Sequence, residues 1–396
     1  MSLKRHFVFL KKLTVRFVEH DRTWRALERA LAWVRGEAVL CIAAICAIAS
    51  MIVVPPDSGY GSYFDTRVLI LLFCLMATVA GLKQAGLFDV LARVLLQGNR
   101  SFYQVLAALI MLPFFASMLV TNDVALLAFV PFAVLVLTYA QRESLLVWVV
   151  VFQAIAANLG GMAMPMGNPQ NLFIFSSYQV ALGDFIAVLL PYVGLTFAGL
   201  LVAIAVLGRG SRAVEVPLHD VFLVGSQSVL HGVLFMMCLL AVVRVLDPLV
   251  LLGIVVAVLL LFDRRSLRSV DYGLLLTFVC FFVFAGNVGR IDVVRDVFEW
   301  LMGQSALLTS FLASQVISNV PSAVLLSEFT TDWQGLLLGV DIGGLGTPIA
   351  SLASLIALRL YVRAQPSGLL RFMKAFTLVN VVGIAAMFGL YACLNM

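Results

Sequence analysis

Two stretches of this chain, far apart in sequence, read as versions of each other. Residues 157–172 are ANLGGMAMPMGNPQNL and residues 340–355 are VDIGGLGTPIASLASL. Gly160, Gly161 and Pro165 of the first fall on Gly343, Gly344 and Pro348 of the second, 183 positions later. Upstream of each sits another matched pair, ASMLVTNDVALL at 116–127 and ASQVISNVPSAVLL at 313–326. A weaker pair, AGLKQAG at 80–86 and AGNVGRI at 285–291, keeps the same order. Glycine, proline and polar side chains thus interrupt apolar helices at matching places in two halves. That pattern predicts a transporter built from a duplicated unit, with its site where the helices break.

Composition sets the solvent. The chain of 396 residues is 62% hydrophobic and 12% charged, against about 25% charged in an average soluble domain. Its mean hydropathy is +1.06. Apolar stretches of spanning length recur from residue 36 onward, so the expected fold is an all-α polytopic membrane protein. The formal net charge of +5 resides in short connections, which argues against a nucleic-acid partner. Cys41, Cys46, Cys74, Cys238, Cys280 and Cys393 are scattered through apolar segments, and the four histidines do not pair. Neither set has metal-ligand spacing, so no haem, zinc or iron–sulfur cofactor is expected.

Residues 1–35 are rich in Lys and Arg, interleaved with apolar residues. They read as a basic amphipathic segment on the cytoplasmic membrane surface, followed by a first transmembrane helix at 36–56. The first repeat is assigned to 57–208, with a hairpin at 101–138 and a broken helix at 145–176. Connecting and scaffold helices occupy 209–263. The second repeat covers 264–396, with a hairpin at 304–330 and a broken helix at 333–361. The second hairpin is too short for two crossings, since one needs about 20 residues, and it reads as re-entrant. By repeat logic the first does too. Segments 87–98 and 290–301 alternate charged with apolar residues and read as interfacial helices. Lys and Arg favour the same side in nearly every connection when the N-terminus is cytoplasmic. The two repeats then have inverted topology in a bacterial-type inner membrane.

Backbone groups freed at a break in hydrocarbon are costly unless protein, water or substrate satisfies them. The hairpin tips, Thr121–Asn122–Asp123 and Ser318–Asn319, should meet the breaks at Asn158–Gly160–Gly161 and Asp341–Gly343–Gly344. Gly167–Asn168 and Gly346–Thr347 stand where the helices should resume and present N–H groups to an anion. The candidate substrate- and ion-binding residues are therefore Thr121, Asn122, Asp123, Asn158, Gly160, Gly161, Asn168, Ser318, Asn319, Asp341, Gly343, Gly344 and Thr347. Na⁺ could be held near Asn122, Asp123, Asn158, Asn319 and Asp341. Asp123 and Asp341 are carboxylates in apolar stretches, which suits a coupling proton or Na⁺. The simpler alternative is a structural helix cap. Nothing in the chain assembles a nucleophile, a general base and an oxyanion hole, so it does not read as an enzyme.

At these motifs the chain resembles the ion transporter superfamily. That group takes in arsenite efflux permeases, sodium/proton antiporters, citrate and divalent-anion/sodium symporters, and a branch described as anion transporters. The stretch 157–174 is similar to the family pattern after its first hairpin, and 341–358 resembles the arsenite permease branch. The resemblance implies that Asn122 and Asn319 lie beside substrate and Na⁺ and that Asn158 and Asp341 line the breaks. It also implies a homodimer with an elevator-like movement. Asp123 and Val320 depart from the symporter tips, which carry Thr, and an ionised Asp123 would repel a dianion. The leading expectation is secondary transport of a small anion coupled to Na⁺ or H⁺. Na⁺/H⁺ antiport and arsenite-type efflux are the alternatives. No nucleotide-binding loop is present, though a separate ATPase is compatible with an arsenite-type pump.

Overall fold

The computed structural model describes residues 38–96, 99–209, 214–215 and 225–395. The basic segment 1–35 lies outside them, as do His6, His20, Arg212 and His219. The protein is an all-α polytopic membrane protein. Among the described residues, seven helices are long and apolar enough to cross a membrane. A two-residue antiparallel ribbon, β1 (Asn99–Arg100) with β2 (Val214–Glu215), is the minor exception.

The chain enters through α1 (Ala38–Val53) and α2 (Thr66–Gln84) and then runs along the amphipathic α3 (Leu87–Leu96). Two arms follow, α4 (Phe102–Ala116) and α5 (Asn122–Tyr139). The interrupted helix comprises α6 (Leu146–Gly161), a 3₁₀ turn at Pro165–Gly167 and α7 (Pro169–Ser177). After α8 (Leu182–Leu207) come α9 (Gly225–Val242), α10 (Pro248–Phe262) and the short α11 (Arg264–Arg268). Next come α12 (Tyr272–Gly289), amphipathic α13 (Asp292–Gln304), and arms α14 (Ala306–Ile317) and α15 (Asn319–Leu326). The second interrupted helix is α16 (Trp333–Gly343), a 3₁₀ turn at Pro348–Ala350 and α17 (Leu352–Ala364), and α18 (Leu369–Leu394) closes the chain.

Local chemistry sets many of these starts. Asp65, Asp271 and Asp332 each cap a helix by accepting a backbone N–H from its first turn, and Ser101 and Gln104 form a reciprocal capping box on α4. Such caps satisfy donors that the helix itself leaves free. At 1.5 Å per residue, α14 and α15 are only about 18 and 12 Å long, well short of the roughly 30 Å hydrocarbon layer.

Helices α2, α9, α10 and α11 pack together, and α12 packs on α1 and α15. Helix α6 lies against α4, α5 and α8, and α16 lies against α14 and α15. The halves interlock reciprocally: α17 packs on α5 and α6, while α7 packs on α15 and α16. His231 on α9, fully buried, lies 2.9 Å through Nε2 from Asp263 Oδ2, and Ser266 Oγ donates to the same carboxylate at 2.6 Å. Arg290 donates to Asp57 at 2.6 Å and to Tyr63 Oη at 3.0 Å. The guanidinium holds the Asp57 carboxyl below its ordinary range.

Candidate functional site

Packing requires the glycines at the end of each interrupted helix. A Cβ on Gly160 would run into the backbone of Phe114 in α4, and one on Gly343 into Ser314 in α14. The first arm of each hairpin is thereby brought against its broken helix. A Cβ on Gly161 would meet Asn168 Oδ1, and Gly344 sits beside Asn319 Nδ2.

Asn158 is the hub of the first break. Its Oδ1 accepts from Asn122 Nδ2 at 2.9 Å and from Ser351 Oγ at 2.8 Å. Its Nδ2 donates to Ser354 Oγ at 3.3 Å, and its carbonyl accepts from Asn168 Nδ2 at 3.0 Å. One side chain therefore joins the tip between α4 and α5 to the start of α17 in the other half. The second break reciprocates: Gln170 Nε2, at the start of α7, donates to Asp341 Oδ1 at 3.0 Å. Asn122, Asn158, Asn168, Gln170, Asn171, Asp341, Ser351 and Ser354 are all buried.

The tip asparagines share one conformation. Asn122 Oδ1 accepts the N–H of Asp123, and Asn319 Oδ1 accepts the N–H of Val320, each at 2.9 Å. Ser318 Oγ donates to the carbonyl of Ala350 at 3.3 Å, so the second tip also touches its own break. Ser318 has φ 75° and ψ 155°, a region that costs a residue with a side chain about 1–3 kcal/mol. We predict that Ser318→Gly raises the thermal midpoint of the detergent-solubilised protein and that Ser318→Ala does not. Equal midpoints for the two variants would contradict a strained tip.

Two expected residues stand apart. Thr347 does not open a helix. Helix α17 begins at Leu352, and Thr347 is an exposed residue ahead of the 3₁₀ turn, with Oγ1 donating to the Gln315 carbonyl at 3.2 Å. The position in register with Asn168 is Ser351. Gly346, with φ 106°, instead makes the turn. Asp123 leaves the asparagine network and faces a cavity of about 770 Å³ with Thr121, Lys83, Asp271 and Arg359. One step along a helix turns a side chain by about 100°, which separates Asp123 from Asn122.

Two glutamines add support that sequence reasoning passed over. Gln315 Nε2 donates to the carbonyls of Gly343 and Leu345, each at 2.9 Å, and its Oε1 accepts from Thr347 N–H at 3.0 Å. These are carbonyls that the break leaves without helical partners. Gln153 Nε2 donates to Leu109 O at 2.8 Å and Phe129 O at 3.3 Å, joining α6 to both arms of the first hairpin. A lone glutamine on an apolar helix was the available signal for each.

The cavity at Lys83 and a second cleft of about 790 Å³ lined by Asp65, Ser177, Glu328 and Thr330 open at opposite ends of α2, a helix about 28 Å long. The first reaches the Thr121 tip, whereas the second is not lined by either tip.

Comparison with known proteins agrees with a membrane transporter. The sequence pattern of the citrate transporter family matches residues 26–332. An uncharacterized transporter of Methanocaldococcus jannaschii is 32% identical over 298 residues, covering 75% of this chain and 81% of its own length. Inner membrane protein YbiR of Escherichia coli is 32% identical over 310 residues, covering 75% and 80%. The silicon efflux transporter LSI3 of Oryza sativa is 33% identical over 139 residues, 35% of this chain and 28% of its own length.

Proposed function

Because this chain belongs to the citrate transporter family, we propose that it moves a small anion across the membrane by alternating access, coupled to Na⁺ or H⁺. The observation that carries this reading is the crosswise bonding of the two breaks. Asn158 of the first half is held by Ser351 and Ser354 of the second, and Asp341 of the second by Gln170 of the first. A polar centre shared by two matched units suits a site around which those units rearrange. Two vestibules at opposite ends of α2 fit the same reading, with one tip open to the Lys83 end. Under the charge-based orientation that end is cytoplasmic and the conformation inward-facing. The short arms α14 and α15 support a re-entrant second hairpin.

Lys83 and Arg359 give the vestibule two cations, against Asp123 and Asp271. Steering of an anion is thereby balanced rather than strongly favoured, which weakens a multiply charged substrate and favours one of low charge. A second reading, efflux of a neutral oxyacid, draws on the likeness to a silicon efflux transporter over residues shared with this chain.

Uptake into proteoliposomes under imposed Na⁺ and pH gradients tests the proposal, with citrate, smaller carboxylates, inorganic oxyanions and undissociated silicic and arsenous acids as the panel. Anion accumulation that follows one cation gradient is the expected result. Gradient-independent accumulation of a neutral acid favours the second reading. Na⁺-dependent proton movement with no solute from the panel overturns both in favour of antiport.

A further inference from the structure

Two helices, α7 and α9, end in the same turn and are joined there by one side chain. At the end of α7 the N–H of Gln179 bonds to the Ser176 carbonyl and that of Val180 to the Phe175 carbonyl, each at 3.2 Å. At the end of α9 the N–H of Arg244 bonds to the Ala241 carbonyl at 3.1 Å and that of Val245 to the Leu240 carbonyl at 2.8 Å. The turn puts Gln179 at φ 52° and Arg244 at φ 67°, a left-handed position in which glycine is most at ease. An arginine kept there at the expense of the turn calls for a use of its side chain. Arg244 Nη1 donates to the Gln179 carbonyl at 3.0 Å and Nη2 to the Phe175 carbonyl at 2.8 Å. The guanidinium carbon also lies 5.0 Å from the centre of the Phe175 ring. One planar fork thus serves two carbonyls at the C-terminus of α7, where the helix dipole favours a cation.

The same short turn grips two further elements. Ser177 Oγ donates to Asp65 Oδ2 at the start of α2, at 3.0 Å. Tyr178 Oη reaches the carbonyls of Thr330 at 2.8 Å and Ser327 at 3.1 Å, in the segment that follows α15. Helix capping alone does not call for a bond from this turn to the second hairpin. Asp65, Ser177, Tyr178, Ser327 and Thr330 also line the cleft of about 790 Å³. The contacts therefore stand at the end of α2 opposite Lys83, where the cleft stops short of the second tip. We propose that Arg244 is a gating residue: with Tyr178 it latches α7 to α9 and to the second hairpin, and so keeps the protein closed at this end while the Lys83 end is open. Release of the latch frees the end of α15 and lets the cleft reach Ser318, about 12 Å away at the other end of that helix. This role rests on the alternating-access reading above.

The test measures how often the latched end opens. In the full-length protein with its native cysteines replaced, Ser318→Cys reports access to the second tip from the latched side, and Thr121→Cys reports access to the first from the Lys83 side. Each is read as the rate of reaction with a membrane-impermeant maleimide in vesicles of known sidedness. The main variant is Arg244→Gly, which suits the turn of α9 and removes only the side chain. Labelling of Ser318→Cys is expected to rise about tenfold in Arg244→Gly, since bonds from a charged donor are the stronger ones, and by less in Tyr178→Phe. Arg244→Lys, a point charge without the fork, restores the slow rate in part. Gln179→Gly keeps every carbonyl and leaves the rate unchanged. A merely structural cap predicts a lower thermal midpoint with unchanged labelling. That result in both Arg244→Gly and Tyr178→Phe, with Thr121→Cys still labelled from one face, overturns the latch and leaves the transport reading standing. A rise in Gln179→Gly equal to that in Arg244→Gly also overturns it. Labelling of Thr121→Cys from both faces in the otherwise unmodified protein overturns the transport reading, and the latch with it.

Discussion

Asn158→Leu is expected to yield a folded, membrane-inserted protein whose gradient-driven transport is lower by about 100-fold or more. Leucine keeps asparagine's branching and heavy-atom count, so the change chiefly removes bonds. Asn122 Nδ2 and Ser351 Oγ lose their acceptor, and Ser354 Oγ loses a donor. Leaving a buried polar group unpaired costs about 1–3 kcal/mol, and each 1.4 kcal/mol is about tenfold in an equilibrium. The two donors left without an acceptor, Asn122 Nδ2 and Ser351 Oγ, are by themselves enough to account for the predicted loss. Initial uptake rates compared at equal protein, with the thermal midpoint as a folding check, measure it. Asn158→Asp keeps the acceptor used by Asn122 and Ser351, replaces the donor with a second acceptor to which Ser354 Oγ can donate, and reproduces the residue of the second break. It should transport better than the leucine variant but with altered dependence on the driving cation. Uptake at the unmodified rate in Asn158→Leu contradicts a central role for this side chain.

Gly160→Ala and Gly343→Ala should each destabilise the protein by about 1–3 kcal/mol, the usual cost of forcing a methyl group into a packed interface. Helix propensity alone predicts the reverse sign, since alanine is better than glycine in a helix interior by about 1 kcal/mol. Packing wins because the new methyl group meets the Phe114 backbone in one case and the Ser314 side chain in the other. Gly199 in α8 is the control, with nothing near the position its Cβ would take. Gly199→Ala should be neutral or stabilising. Thermal unfolding in detergent checks all three. If the three variants behave alike, the close approach of arm and broken helix is not what holds the hairpins.

The fold was legible because lipid imposes simple rules. Spanning helices read as apolar runs, and breaks announce themselves as Gly–Gly and Pro in such runs. Pro165 and Pro348 open matching 3₁₀ turns. The partners across the break were not legible. Asn158 meets Ser351 across 193 residues, and Gln170 meets Asp341 across 171. No local pattern encodes such a contact. Thr347 illustrates a wrong register: Gly346–Thr347 imitates Gly167–Asn168 in composition, yet the shift of 183 aligns Asn168 with Ser351. The order of residues at the first tip likewise hid the divergence of Asn122 and Asp123, which adjoin in sequence and face different surroundings.

Alternating access is the central claim, and the sidedness of the first tip tests it most directly. With the native cysteines replaced, Thr121→Cys is labelled with a membrane-impermeant maleimide in right-side-out and inside-out vesicles, with Na⁺ or choline and at two pH values. The account predicts labelling from one face only in a given condition, that of the Lys83 vestibule here, with protection when the driving cation or substrate shifts the protein. Labelling from both faces at once, or labelling that no ion or substrate alters, contradicts it and points to an open channel or a static site.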